Sequence, residues 1–215
     1  NGIAHVMAAA GYQVLLNDVS QEALDKGVAT IRGNMERQVV RNKMAEADME
    51  AALRRITPTL TLSDVGGTDL VIEAATERET VKTAIFEDLL PHLKPNTILT
   101  SNTSSISITR LASGTDRPEK FMGFHFMNPV PVMQMVELIR GIATDQDTYD
   151  ACHGVVASLG KTAASAEDFP AFIVNRILMP MINEAVYTLY EGVGNVTSID
   201  TSMKLGTNHP MGPLE

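Results

Sequence analysis

His125 and Glu137 stand twelve positions apart, each inside a run of apolar residues. A buried imidazole beside a carboxylate is a pairing that can move a proton at neutral pH. His125 lies in Gly123-Phe-His-Phe-Met-Asn-Pro129, and Glu137 is flanked by Val136, Leu138 and Ile139. Desolvating a carboxylate alone is costly, so Glu137 needs a partner, and the imidazole needs a group that fixes its ring and offsets its positive charge. Each residue answers the other's requirement. The same pattern also fits a locally satisfied core histidine and a glutamate facing water from an edge strand.

Asp18 closes the apolar run that starts at Val14, where a dinucleotide-binding fold sets an acid against the adenosine ribose hydroxyls. A carboxylate there repels a ribose phosphate and favours NAD over NADP, although a solvated strand end would look the same. Glu77 and Lys82 follow the apolar strand that ends near Glu73, while Asn102 and Ser104 follow the next strand, in Ser101-Asn-Thr-Ser-Ser105. Polar groups at these strand ends suit a nicotinamide, its ribose or a substrate oxygen. Asn102 and Ser104 equally suit the cap of a short helix starting near Ile106, a role compatible with ligand binding. His5, His92, His153 and His209 are read as structural. With one cysteine, Cys152, and neither H-E-x-x-H nor C-x-x-C, no metal site is expected.

The elements that position these residues follow from apolar spacing. Residues 2–10 form a helix stopped at Gly11, 14–16 a buried strand, 21–44 a long amphipathic helix and 49–56 a shorter one. Strands are expected at 57–62, 69–73, 97–100, 121–126 and 135–139, with helical spacing at 80–93 and 145–159 and a last strand at 161–165. Alternation of this kind predicts a Rossmann-like doubly wound, mostly parallel sheet, with a helical pair inserted after the first strand. Phe169-Pro170 marks a joint. Residues 171–190 are apolar on most faces, which predicts a helix buried between partners, and a further helix starts near Ser198. The expected division is residues 1–168, a cofactor domain, and 169–215, the start of an all-α domain.

A net charge of -9 and a pI near 5.0 exclude an electrostatic footprint for nucleic acid, so a small-molecule partner is expected. No stretch reaches the roughly 18 apolar residues of a membrane span, and no basic start leads into an apolar signal core. A lone cysteine asks for no oxidising compartment, and a cytoplasmic or mitochondrial matrix setting is expected. Asn1 opens directly into a helical pattern and Glu215 follows Pro213 with no closing element, so the chain reads as a fragment.

Seven stretches, in order, resemble the 3-hydroxyacyl-CoA dehydrogenase family: Asn1-Gly-Ile-Ala-His5, Asp69-Leu-Val-Ile-Glu-Ala74, Ser101-Asn-Thr-Ser-Ser-Ile106, Gly123-Phe-His-Phe-Met-Asn-Pro-Val-Pro-Val-Met133, Gly160-Lys161, Phe172-Ile-Val-Asn-Arg176, and Met203-Lys-Leu-Gly206 with Pro210-Met-Gly-Pro213. The resemblance implies NAD-dependent oxidation of the 3-hydroxyl of an acyl-CoA, short-chain such as 3-hydroxybutyryl-CoA, in fatty-acid or butanoate metabolism. It casts His125 as general base, Glu137 as its paired acid, and Ser104 and Asn175 as the groups that bind the substrate oxygen. Asn128 would sit beside the histidine and nicotinamide. Asp18 would bind adenosine ribose, Glu77, Lys82 and Asn102 the nicotinamide half, and Arg41 and Lys43 the CoA phosphates. A homodimer is implied for the full-length protein, formed mostly through the second domain. The family's glycine-rich phosphate loop is not in the chain, and the second domain stops early.

Two other functions fit more loosely. One is a relative acting on a free hydroxy acid, the other a nucleotide-binding protein without turnover, which would have no need of Ser104, His125, Glu137 and Asn175 together.

Overall fold

Apolar spacing switches between extended and helical periods along the chain, and the backbone follows it. The computed structural model describes Asn1–Glu215 and divides it into two units, Asn1–Asp168 and Phe169–Glu215. The first unit contains α1 (Gly2–Ala9), β1 (Val14–Asn17), α2 (Gln21–Val40), α3 (Glu46–Arg54), β2 (Ile56–Thr59), β3 (Leu70–Glu73) and α4 (Glu79–Leu89). It continues through β4 (Ile98–Ser101), α5 (Ile108–Ser113), β5 (Phe121–Phe126), β6 (Met135–Arg140), α6 (Gln146–Ser158) and β7 (Thr162–Glu167). The second unit holds α7 (Val174–Tyr190) and α8 (Val196–Thr201), which runs into a π-helical turn, Ser202–Gly206. No helix is long and apolar enough to cross a membrane.

β3 to β7 lie side by side in chain order, and β1 and β2 form a parallel pair of their own. Neighbours joined through helices are parallel, because a crossover needs a dozen or more residues. β5 reaches β6 through residues 127–134 alone, too short a link for a crossover, and these two strands are antiparallel. The sheet is therefore mostly parallel with helical connections, as the alternation predicts.

Every residue of β5 is buried. Met122, Phe124 and Phe126 pack with Val136 and Leu138 of β6 and Cys152 and Val156 of α6. Full burial of such side chains contributes about 1.5–3 kcal/mol each for Val, Leu, Phe and Met, and this layer holds the two strands together. Alternation sends Phe121, Gly123 and His125 to the other face. There Phe121 meets Phe86 of α4 edge-on, with ring centroids 5.0 Å apart. Gly123 lets α5 rest on the strand: a Cβ at this position would stand 2.8 Å from Ile139 Cβ and 3.0 Å from Ile108 side-chain carbons.

Three element boundaries differ from the sequence expectation, each for a local reason. α2 stops at Val40 because the chain turns through Asn42 at φ 54°. α4 stops at Leu89, where Pro91 belongs to a short 3-10 turn. α7 starts at Val174, since Ala171 and Phe172 are left-handed at φ 66° and 52°. Burial of α7 is also corrected: only Ala185 is buried, while Ile177, Met179, Val186 and Tyr187 are exposed. Phe169–Glu215 offers this helix little more than α8 to pack on, too little surface to cover a helix that is apolar nearly all round.

His5, on α1, is buried, with Nε2 3.4 Å from Gln38 Nε2 of α2 and Nδ1 without a hydrogen-bond partner. Burial, and then the charge of Lys161, hold its pKa below the ordinary histidine value. The fold selects the neutral ring. Its contribution to stability is complete above about pH 6.5, the unfolded value, and is lost as pH falls below that toward the depressed folded value. His5→Leu is expected to flatten the decline of the denaturant midpoint between about pH 7 and pH 5. An unchanged slope would clear His5 as its source.

Candidate active site

Directly opposed residues of an antiparallel pair project from the same face, and His125 is the register partner of Glu137. The side chains meet: His125 Nδ1 lies 2.7 Å from Glu137 Oε2. Glu137 is fully enclosed and His125 is buried. An ionised Glu137 requires the proton on Nδ1, which leaves the lone pair on Nε2, and Ser104 Oγ stands 3.0 Å from that nitrogen. Glu137, His125 and Ser104 thus form one line of hydrogen bonds at the carboxyl ends of β4 and β5, the edge where open α/β sheets bind ligands. The imidazole is oriented from behind and accepts from the front, the arrangement of a general base.

Ser104 sits in a turn tied down residue by residue. Ser101 Oγ donates to Glu73 Oε2 at 2.6 Å, and the Asn102 amide donates to the Glu73 carbonyl at 2.7 Å. Asn102 Oδ1 accepts from the Phe126 amide at 2.8 Å, joining the ends of β4 and β5. Glu77 Oε1 then collects Thr103 Oγ1 at 2.6 Å, the Ser104 amide at 2.9 Å, and the Ser105 amide and hydroxyl at 3.0 and 2.9 Å. Burial acts to raise the Glu77 carboxyl, but these hydrogen bonds and the charge of Lys82 outweigh it and hold the group below the ordinary glutamate value. Farther along, Asp168 accepts from Ser107 Oγ and from the Ile108 and Thr109 amides, at 2.7, 3.0 and 2.8 Å, and so closes the N-terminus of α5.

Lys82 departs from its expected place at the cofactor. Its side chain is fully enclosed, with Nζ 2.9 and 3.0 Å from the Glu73 oxygens, 3.4 Å from the Ala75 carbonyl and 3.7 Å from Glu77 Oε2. A buried ammonium needs a counter-charge, and the nearest acid on β3 supplies it. Glu73 itself was overlooked. A glutamate closing an apolar strand, with a lysine nine positions on, was the available signal. Asp168 also went unread, although it immediately precedes the Phe169-Pro170 joint.

Asp18 is exposed at the end of β1, with Oδ1 2.7 Å from the Val19 amide. It stands close enough to the start of α1 for its charge to act on the Asn1 amino group. The N-terminus of α1 has no side-chain cap and no acid in its first turn, which leaves its amides and dipole available to an anion. Gly2 brings that end against Val130, in the loop that follows β5, with a notional Cβ 3.0 Å from Val130 Cβ. An acid for ribose, an open helix N-terminus and the His125 loop thus lie along one edge, which fits an extended dinucleotide. Asn128 is exposed in that loop, joined to Pro129 by a cis peptide bond, and Lys161 Nζ ties the loop down through the Val130 and Met133 carbonyls at 2.8 and 2.6 Å.

The structure does not gather the remaining expected residues with this trio. Arg41 and Lys43 are exposed beyond the end of α2, and Lys43 lines a polar cavity of about 360 Å³ with Asp48 and Arg55, at the far end of α1. Asn175 lies in the first turn of α7, in the second unit.

Comparison with known proteins places these features. Residues 1–169 match the 3-hydroxyacyl-CoA dehydrogenase, NAD binding domain, and residues 172–215 match the 3-hydroxyacyl-CoA dehydrogenase, C-terminal domain. A 3-hydroxybutyryl-CoA dehydrogenase of Bradyrhizobium diazoefficiens is 62% identical over 215 residues, the whole of this chain and 73% of the relative. The mitochondrial hydroxyacyl-coenzyme A dehydrogenase of Homo sapiens is 42% identical over 221 aligned residues, which cover this chain and 70% of that protein. The crystal structure of an (S)-3-hydroxybutyryl-CoA dehydrogenase from Ralstonia eutropha superposes with a TM-score of 0.96 at 47% identity, over 99% of this chain and 75% of that one.

Proposed function

The chain belongs to the 3-hydroxyacyl-CoA dehydrogenase family, NAD-dependent oxidoreductases, and from that premise we propose that it oxidises (S)-3-hydroxybutyryl-CoA with His125 as general base. The observation that carries this reading is the Glu137–His125–Ser104 line of hydrogen bonds. His125 Nε2 takes the 3-hydroxyl proton as C3 gives up its hydride, and Glu137 stabilises the imidazolium that forms. Bound NAD supplies the hydride acceptor. Ser104 Oγ, already within hydrogen-bond reach of Nε2, shares the substrate oxygen with the Asn175 amide carried by the second unit. Asp18 holds the adenosine ribose, and Glu77, Asn102 and Asn128 flank the nicotinamide half.

Arg41 and Lys43 supply cations for the CoA phosphates, well away from the reacting carbon, as the length of the pantetheine arm requires. The exposed apolar residues of α7 are where a second copy of the chain packs. The reaction belongs to fatty-acid or butanoate metabolism, where 3-hydroxyacyl thioesters are oxidised.

Substrate class is tested by following NADH oxidation at 340 nm with acetoacetyl-CoA and with free acetoacetate. The thioester is expected to give a kcat/KM at least about 10²-fold higher, since only it brings binding energy from the CoA portion to bear on the transition state. Equal rates would move the assignment to a free hydroxy-acid dehydrogenase. NADH binding without turnover of either compound would leave a nucleotide-binding protein.

A further inference from the structure

The proposed chemistry gives no task to Glu73 or Lys82, yet they form the most deeply enclosed ion pair at the site, with side chains 1% and 0% exposed. Their neighbours show what they hold. Glu73 secures Ser101 and Asn102, while Glu77 secures residues 103–105. Lys82 is the one cation that reaches both carboxylates. Glu77 is 41% exposed at its side chain, so its second oxygen could turn to water were Lys82 not behind it.

We propose that Lys82 is a positioning residue: by pairing with Glu73 and Glu77 together it sets the Glu77 carboxylate over residues 103–105 and holds Ser104 Oγ against His125 Nε2. This role rests on the parts assigned above to Ser104 and His125. Its full enclosure keeps Lys82 from touching a dinucleotide, so its effect passes through the turn. Glu73 is the counter-charge that allows a lysine to sit there.

The test is a double-mutant cycle on the protein, read by acetoacetyl-CoA reduction with NADH. Glu73→Gln combined with Lys82→Met removes both buried charges at nearly constant volume and leaves neither unpaired. The pair of changes is expected to lower kcat by about tenfold or more, the effect of a small misplacement of a reacting group, and to change the NADH Kd by less than about twofold. In a Ser104→Ala background the same changes should cost less than about twofold, because the contact they serve is already gone. A loss that adds in full to that of Ser104→Ala would overturn the role, and so would a raised NADH Kd with kcat intact, which marks a direct cofactor contact. A thermal melt checks folding. Should the combined variant not fold, Glu77→Gln cuts the link at a partly exposed position, and full additivity with Ser104→Ala there would overturn the role equally. Absence of turnover in the unaltered protein would instead sink the functional reading itself.

Discussion

His125→Gln is expected to lower kcat for oxidation of 3-hydroxybutyryl-CoA by about 10²-fold or more, with the NAD Kd changed by less than about threefold. Glutamine keeps a polar group near the position of Nε2 and preserves much of the volume of a buried ring, so the fold has no orphaned cavity to answer for. What it cannot do is accept a proton from an alcohol. Hydride departure from C3 would then develop charge on an oxygen that still carries its hydrogen, and the barrier rises. The measurement is steady-state kinetics together with an equilibrium titration of cofactor. Turnover within about threefold of the unaltered protein would remove His125 from the chemistry and take the functional reading with it.

Glu137→Gln tests the other half of the pair. The substitution is isosteric and uncharged, and the amide oxygen can still accept from Nδ1 in one of its two orientations. The positive charge on the ring in the transition state then faces a dipole where it had faced a carboxylate, in a setting shut off from water. A kcat loss of about 10²-fold or more is expected. Because the two groups act as a unit, the His125→Gln/Glu137→Gln enzyme should be no slower than His125→Gln alone by more than about threefold. Multiplicative losses would mean that Glu137 acts on something other than the histidine.

The architecture was legible because the apolar period changes cleanly at each element, as at residues 121–126, where a continuous apolar run stands between polar neighbours. The nearness of His125 and Glu137 was legible for an electrostatic reason: a carboxylate in the run Met135–Arg140 could be there only with a partner. Lys82 was not legible in the same way. Its position after a strand end suits a ligand contact and an internal ion pair alike, and only the path of the turn between β3 and α4 aims the side chain inward at Glu73. The start of α7 was misjudged because Ala171 and Phe172 carry no sequence mark of left-handed backbone, which ordinarily selects glycine or asparagine. Its exposure is a matter of what lies around the helix, and local spacing holds no information on that.

The rung that joins His125 to Glu137 also limits how this protein can diverge. Adding or deleting a single residue within either strand rotates one member of the pair to the opposite side of the sheet and buries it among phenylalanines. Homologues that keep the activity are therefore free to vary in length only between the strands or outside them, and the segment 127–134 is where insertions near the catalytic pair can be tolerated.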